Sequence, residues 1–255
     1  RFDDRVTGKI AAFASKAKIV HIDIDRSSIG KSVRADLGVQ GYVKPVLEAV
    51  LPFVKSADHA EWIAQVNRWK ERFPFTYPVH GDELMPQYVI EQIYAVSQGR
   101  AVVTTDVGQN QMWATQYFRY TRPRNFISSG GLGTMGFGLP ASIGAQFGRP
   151  GELVVCVTGD GGVQMNFQEL VVAVEHKVPI VVVILNNGYL GMVRQWQELF
   201  YGKRYSGVML SQHGRLPNEH VKDAPAYLPD FVKMAEAHGA CARRITKPEE
   251  VAPAL

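Results

Sequence analysis

The stretch LVVCVTGDGG at residues 153–162 is an apolar run that ends in a carboxylate, Asp160, flanked by glycines. A second apolar run, predicted as a strand at residues 180–185, ends at Asn186 and Asn187, and the 24 residues 162–185 between the two motifs are enough for a loop, a helix and a strand. This spacing predicts a right-handed crossover that returns the second strand beside the first. Strands that are apolar on both faces and joined by helices indicate an α/β fold, a parallel sheet with helices on both faces.

The ends of these two strands carry oxygen ligands of the kind that a hard cation prefers. In a parallel α/β sheet, ligands bind beyond the carboxyl ends of the strands. Asp160, Asn187 and a backbone carbonyl near Tyr189 would supply about half of the roughly six oxygens around Mg²⁺, with phosphate and water supplying the rest. Each motif alone is typical of an ordinary turn. The pair at this spacing predicts a magnesium–diphosphate site.

The rest of the chain continues the alternation of helix and strand. The crossover helix is predicted at residues 167–176, with Asn166 as its N-cap and Glu169 in a capping or packing role. The other predicted elements are helices at 5–15, 45–54 and 86–97, strands at 17–24 and 101–105, a loop at 106–110, a glycine-dense segment at 128–144, and a helix begun near Pro248.

A domain boundary is expected near Gly81. Part of a second α/β domain (1–54) and a helical linker (55–81) would then precede the main domain (82–255). The chain opens without an initiator Met or a signal sequence and stops just inside a new helix, so we expect it to be a fragment of a longer protein.

Composition excludes several classes of protein. Of 255 residues, 46% are hydrophobic and 20% charged, which is typical of globular chains and not of disordered ones. The net charge of +4 is scattered and forms no basic run, which argues against nucleic-acid binding. The apolar runs are shorter than the roughly 20 residues of a membrane span. Cys156 and Cys241 form neither a metal spacing nor a disulfide framework, so we expect reduced thiols and a cytoplasmic location.

Five longer segments carry a resemblance to a known family. They are RFDDRVTG at 1–8, HIDID at 21–25, VGQNQMW at 107–113, SGGLGTMGFGLP at 129–140 and GMVRQWQ at 191–197. With the paired motif, they are similar to thiamine-diphosphate-dependent enzymes, and specifically to the catalytic subunits of the acetolactate synthase (acetohydroxyacid synthase) family, over nearly the whole chain. The resemblance implies that residues 1–54 are the later part of a middle, FAD-associated domain. It implies that residues 82–255 have the thiamine-diphosphate-binding fold, truncated at the carboxyl end.

The resemblance also implies an activity. Members decarboxylate pyruvate and join its two-carbon unit to a second pyruvate or to 2-ketobutyrate, in the biosynthesis of valine and isoleucine. The implied cofactors are thiamine diphosphate, Mg²⁺ and FAD, and the implied partners are a second catalytic subunit, in a homodimer or tetramer, and a small regulatory subunit. The glutamate that activates the cofactor lies in an amino-terminal domain outside this chain, so the 255 residues alone are expected to be inactive.

Individual residues receive roles from the same resemblance. Met135 matches a residue that props the cofactor into a folded shape, Trp196 one that favours 2-ketobutyrate, and Arg5 one that pairs with a substrate carboxylate. Without the resemblance, Met135 is better explained as core filler and Trp196 as a core or interface residue. Many relatives have His in place of Asn110, which can still donate to an anion but makes a proton role there doubtful. The expected contacts with thiamine diphosphate are Val107, Gln109, Asn110, Gly133, Thr134, Met135, Asp160, Gly161, Gly162, Asn187, Gly188, Tyr189, Gly191 and Met192, and those with FAD are Arg1, Phe2, Asp3, Asp23 and Ile24.

Other functions stay open at this point. Glyoxylate carboligase, pyruvate oxidase and 2-keto-acid decarboxylases share the paired motif, although a decarboxylase would not need the run MVRQW at 192–196. A non-catalytic nucleotide- or metal-binding module that serves assembly belongs to a different class. A Rossmann NAD domain is disfavoured because no G-x-G-x-x-G follows the first strand of a βαβ unit. Residues 208–227 look like an insertion near the active-site lid, with no role assigned.

Overall fold

The computed structural model describes residues 2–79, 81, 83–210 and 228–255. The chain divides into two compact units, Arg1–Phe73 and Pro74–Leu255. The predicted linker at 55–81 spans this division, and its helix belongs to the first unit. The domain limits at residues 54 and 81 stay a prediction.

The first unit is built on a two-stranded parallel sheet. Strand β1 (Val20–Asp23) pairs with β2 (Leu37–Gln40). The helix predicted at 5–15 is wrong beyond its first turn, because α1 (Asp4–Thr7) is terminated by Gly8, which adopts a φ of 54°. Helices α2 (Val43–Val50) and α3 (Ala60–Arg72) follow, and the short 3₁₀ turns of this unit are Ile10–Ala12 and Leu51–Phe53.

The second unit carries a parallel sheet. Its strands are β3 (Val102–Thr105), β4 (Phe126–Ser128), β5 (Val154–Gly159) and β6 (Ile180–Leu185). Its helices are α4 (Pro86–Ser97), α5 (Gln109–Tyr117), α6 (Gly138–Gly148), α7 (Asp160–Val163), α8 (Leu170–Glu175), α9 (Gly191–Phe200), α10 (Phe231–Ala237) and α11 (Val251–Ala254). The strand order in the described part is β4-β3-β5-β6, with every pairing parallel. Strands β5 and β6 pair along their whole length, so the chain returns beside β5 as predicted.

Helices cover both faces of this sheet. On β5, Val155 and Val157 pack in a buried cluster with residues of α4, α5 and α11. Cys156 lies between them in sequence and belongs to a second cluster with residues of α6 and α8, because successive side chains of a strand point to opposite faces. The predicted fold class is therefore confirmed. Burial raises the pKa of the Cys156 thiol to about 12, so this cysteine is a neutral core residue.

Two local predictions are wrong, and one segment that was described only by its composition contains a helix. The loop predicted at 106–110 ends early because Gln109 already begins α5. The glycine-dense segment at 128–144 contains the first half of α6, a helix that glycine content concealed. Asn166 makes no capping hydrogen bond to the turn that follows it. Its side chain instead donates to the backbone carbonyl of Gly136 at 2.9 Å.

Two remaining expectations concern other parts of the chain. The helix predicted near Pro248 is confirmed, since a 3₁₀ turn, Pro248–Glu250, leads into α11. Most of the expected insertion, residues 211–227, lies outside the described residues. Among the residues that the structure describes, no helix is both long and apolar enough to cross a membrane.

Candidate functional site

Asp160 joins the carboxyl ends of the two central motifs. It is the first residue of α7, directly after β5, and is 2% exposed. Its carboxylate accepts hydrogen bonds from the backbone N–H of Gly161 at 2.8 Å and of Asn187 at 3.0 Å, and also from that of Gly188. The side chain therefore fixes the turn after β6 against the turn after β5.

Burial works against the charge of this carboxylate. Desolvation raises the pKa of Asp160, while the hydrogen bonds from Gly188, Gly161 and Asn187 lower it in part. These hydrogen bonds alone do not fully offset the cost of burying the charged carboxylate. A bound cation would stabilise the ionised form, because Mg²⁺ is a hard ion that binds carboxylate oxygens directly.

The second predicted ligand lies beside it. The side-chain carbonyl of Asn187 accepts from the backbone N–H of Tyr189 at 3.0 Å and keeps one lone pair for another partner. The described residues contain no group of three or more His, Cys, Asp or Glu side chains that could hold a metal by themselves. One carboxylate with amide and backbone oxygens is the donor set of a Mg²⁺ ion that takes further oxygens from phosphate and water.

An open cleft with a cavity volume of about 100 Å³ lies at this edge of the sheet. The described residues that line it are Val107, Gly108, Gln109, Asn110, Trp113, Met135, Gly159, Asp160, Gly161, Gly162, Leu185, Asn187, Tyr189, Leu190, Gly191, Met192 and Val193. Most of the residues predicted to contact thiamine diphosphate are thus brought together, whereas Gly133, Thr134 and Gly188 are outside this lining.

Helix N-termini converge on the cleft. Helix α5 begins at Gln109, α7 at Asp160 and α9 at Gly191, and all three residues line the cleft. The first N–H groups of a helix have no partner within the helix, and the helix dipole places about half a positive elementary charge at that end. An anion such as a diphosphate is stabilised where such ends meet. Gln109 begins a helix, whereas a loop was predicted there. A helix N-terminus stabilises an anion better than a loop does, so the structure supports an anion site here more strongly than the sequence did.

Asn110 has an unsatisfied group at the cleft. It is 5% exposed, and its side-chain Oδ1 has no hydrogen-bond partner among the described residues. A buried polar atom without a protein partner costs about 1–3 kcal/mol, so its place in the cleft is suited to hydrogen bonding with a ligand or with water. Rotating the amide by half a turn exchanges its donor and acceptor, which lets Asn110 serve an anionic oxygen. The residues therefore fit a diphosphate.

Close packing around two glycines shapes the cleft floor. A Cβ on Gly161 would lie 2.6 Å from Cδ2 of Leu190, and a Cβ on Gly191 would lie 2.9 Å from Cδ of Gln109. A larger residue at either position would have to displace the end of the Leu190 or the Gln109 side chain. Met135 reaches the same place, with its Cε 3.7 Å from where a Cβ of Gly161 would be.

The sequence of the second unit matches a known family. Residues 106–255, more than half of the chain, match the thiamine pyrophosphate enzyme C-terminal TPP-binding domain. This chain belongs to the thiamine pyrophosphate enzymes. Residues 1–50 match the central domain of thiamine pyrophosphate enzymes. The predicted thiamine-diphosphate-binding fold (diphosphate and pyrophosphate are the same group) is confirmed.

Relatives of this thiamine pyrophosphate enzyme carry one recurring name. The chain is 43% identical over 98% of its length to acetolactate synthase isozyme 3 large subunit of Escherichia coli, of which it covers 42%. It is 43% identical over 98% of its length to acetolactate synthase of Mycobacterium bovis, covering 40%. It is 42% identical over its whole length to probable acetolactate synthase 2, chloroplastic, of Oryza sativa, covering 39%. The resemblance found in the sequence is confirmed, and the chain spans about two fifths of the length of the curated relatives it matches.

Trp196 of this thiamine pyrophosphate enzyme lies next to the cleft without lining it. It is on α9, which starts in the cleft, and is 53% exposed with its ring 5.2 Å from that of Phe200. The preceding residue, Gln195, accepts a hydrogen bond from Nε2 of Gln109 at 2.9 Å. A polar contact thus connects the cleft to the helix that carries Trp196.

The predicted FAD contacts belong to the first unit. Phe2 lies edge-on to His21, with ring centroids 5.1 Å apart. Asp3 caps α1 and forms an ion pair with Arg5 at 3.3 Å. Asp23 ends β1 and accepts from the backbone N–H of Asp25 at 2.8 Å. Ile24 follows it and is 59% exposed, and Arg1 lies outside the described residues. The roles of these residues and of Arg5 stay predictions.

One residue of this thiamine pyrophosphate enzyme was missed by sequence reasoning. Asp106 follows β3, is 1% exposed, and accepts from the backbone N–H of Val107, Gly136 and Gly138. Its position after β3 corresponds to that of Asp160 after β5. A carboxylate at the end of an apolar strand was therefore the available signal.

Proposed function

We propose that the full-length protein is an acetolactate synthase, which decarboxylates pyruvate and joins the two-carbon unit to a second pyruvate or to 2-ketobutyrate. The observation that carries the proposal is the similarity of essentially the whole chain, at 42–43% identity, to proteins with that name from bacteria and a plant. The cleft supports it, because the chain supplies an anion site and a candidate cation site at one edge of the sheet.

The chain's own residues bind and orient the cofactor. Asp160, Asn187 and a backbone carbonyl near Tyr189 would hold Mg²⁺, and the N-termini of α5 and α9 would stabilise the diphosphate. When bound, thiamine diphosphate would supply the electron sink that allows a 2-keto acid to lose carbon dioxide. Met135 would support the bound cofactor from the cleft floor. Leu185 and Leu190 give this side of the cleft apolar walls.

The remaining parts of the proposal concern the assembled enzyme. FAD binds near Arg1, Phe2, Asp3, Asp23 and Ile24, and Arg5 pairs with a substrate carboxylate. A second catalytic subunit completes each active site, giving a homodimer or tetramer, and a small regulatory subunit accompanies it in a cytoplasmic enzyme of valine and isoleucine biosynthesis. The name of the Escherichia coli relative, a large subunit, supports a small companion.

An assay of the full-length protein tests this function. With pyruvate, 2-ketobutyrate, Mg²⁺ and thiamine diphosphate, we expect both acetolactate and acetohydroxybutyrate, separated and quantified by chromatography. Acetaldehyde as the main product would instead indicate a decarboxylase, and condensation of glyoxylate a glyoxylate carboligase. A full-length protein that binds the cofactor but converts no 2-keto acid would contradict the proposal and favour a binding module.

The exposed Trp196 gives a prediction about the second substrate. In Trp196→Leu, we expect the preference for 2-ketobutyrate over pyruvate to fall by about 10-fold or more, because an apolar contact with one additional methyl group is worth about 1–3 kcal/mol. Acetolactate formation should continue. The measurement is the product ratio with both substrates present. Trp62→Leu is the matched control, since Trp62 is 60% exposed and also in ring contact, with Trp69, in the first unit. An unchanged ratio in Trp196→Leu would show that Trp196 is not the selector.

A further inference from the structure

The peptide of Gly136 is held from both sides. Its N–H donates to both oxygens of the Asp106 carboxylate, at 3.1 and 3.0 Å. Its carbonyl accepts from Nδ2 of Asn166 at 2.9 Å. Gly136 has a φ of 87°, and a Cβ there would lie 2.8 Å from the Asn166 side chain and 3.0 Å from Cβ of Met165. The backbone at this position is therefore fixed by side chains from two other segments.

Asp106 connects three segments that form the cleft. Besides Gly136, its carboxylate accepts from the backbone N–H of Val107 at 2.8 Å and of Gly138 at 3.2 Å. Gly162 packs directly on the carboxylate, since a Cβ there would lie 2.6 Å from Cγ of Asp106. A buried carboxylate requires such donors, and charge-assisted hydrogen bonds are about twice as strong as neutral ones. Displacing this side chain would disturb all three segments together.

Met135 depends on its backbone for its position. Its side chain has three rotatable bonds and is among the most adaptable in proteins. The residue that follows is a glycine at positive φ, which has no side chain of its own to hold the turn. On its carboxyl side, the position of Met135 is therefore set by what holds the Gly136 peptide, whereas on its amino side the Thr134 N–H donates to Ser129 Oγ at 3.0 Å.

We propose that Asp106 and Asn166 are positioning residues that clamp the Gly136 peptide and thereby place Met135 against thiamine diphosphate. The proposal deepens the function given above and rests on it, because it takes Met135 to be a contact of the cofactor. Neither clamp residue lines the cleft among the described residues. They act on the cofactor only through Met135 and the backbone around it.

Two measurements on the full-length protein test the clamp. The variants are Asn166→Ala, Met135→Ala and the double variant, with Asn166→Asp as a second removal of the donor that keeps the side-chain shape. The first measurement is the dissociation constant of thiamine diphosphate with saturating Mg²⁺, by isothermal titration. The second is hydrogen exchange of the peptide that contains Gly136 and Gly138, without cofactor. Asn67→Ala, at an exposed site on α3, is the control.

If the clamp exists, we expect Asn166→Ala to bind thiamine diphosphate about 10-fold more weakly. Loss of a residue that supports a ligand-binding group typically weakens binding by about 10- to 100-fold, and the expected loss is at the lower end of that range. Exchange at the Gly136 peptide should become faster. The double variant should bind no more weakly than Met135→Ala alone, because both changes remove the same contact. A purely structural role would lower the melting temperature and leave the dissociation constant unchanged, or would give additive losses, and either result overturns the proposal.

Failure of the proposed function would be visible separately. If the unmutated full-length protein does not bind thiamine diphosphate, the proposed function fails. The hydrogen-exchange measurement still tests the clamp in that case, because unchanged exchange at the Gly136 peptide in both Asn166→Ala and Asn166→Asp would show that Asn166 does not hold it. If Asn166→Ala does not fold, Asn166→Asp carries both measurements.

Discussion

Replacing Asp160 by Asn is expected to weaken binding of Mg²⁺ and thiamine diphosphate to the full-length enzyme by more than about 100-fold. That exceeds the roughly 10- to 100-fold effect of residues that only support a ligand, because Asp160 is the sole carboxylate among the described residues that line the cleft. The substitution removes the negative charge that balances the cation. It also turns an amide N–H toward backbone donors, since both oxygens of Asp160 accept from backbone N–H groups.

Titration calorimetry with Mg²⁺ and thiamine diphosphate measures this loss, and acetolactate formation should fall in parallel. Glu175→Gln is the matched control, because it makes the same change from carboxylate to amide at an exposed residue, at the end of α8 in the same crossover. Circular dichroism should show that Asp160→Asn remains folded. If this variant binds both ligands as the unmutated enzyme does, the cation site is not at the end of β5.

The sequence was most informative where a long apolar pattern ends in a distinctive polar residue. Strand β6 was predicted at residues 180–185 and helix α4 at 86–97, and both bounds are confirmed. The hydrophobic pattern was sufficient there because burial of these segments is what makes them regular. The meeting of Asp160 and Asn187 followed from topology, since neighbouring parallel strands end at the same edge of the sheet.

The parts that could not be predicted depend on contacts between distant residues. Helix α6 is hidden in a glycine-rich segment, and Gly138 at its start packs directly against the end of β3, a contact that local propensity does not reveal. Asn166 has the sequence signature of an N-cap, yet its side chain bonds to Gly136, thirty positions earlier in the chain. Asp106 could have been singled out by its place at the end of an apolar strand, but its backbone donors at Gly136 and Gly138 are brought near it only by folding. The resemblance gave Trp196 a role in selecting the second substrate, whereas in the structure Trp196 lies next to the cleft and is not among the described residues that line it.

Gly138→Ala is expected to destabilise the second unit by about 1–3 kcal/mol or more, the range for added atoms in a packed interior. A Cβ at Gly138 would lie 2.8 Å from the backbone nitrogen of Asp106 and 3.1 Å from the carbonyl carbon of Thr105. Neither atom can yield easily, because β3 is paired with β4 on one side and β5 on the other. Helix α6 would have to move instead, which weakens the hydrogen bond from Gly138 to Asp106.

Thermal unfolding of the full-length protein measures the effect, and a domain of this size loses about 2–4 °C for each kcal/mol. Gly144→Ala is the control in the same helix, where Gly144 is exposed and a Cβ would meet nothing within 4 Å. That variant should gain about 0.5–1 kcal/mol from helix propensity alone. Both variants add one methyl group to one helix, so the difference between them isolates the contact of Gly138 with β3. Equal melting temperatures would mean that this contact does not set the spacing between α6 and the sheet. Asp106 and Asn166 would then hold the turn that carries Met135 without help from the contact of Gly138 with β3.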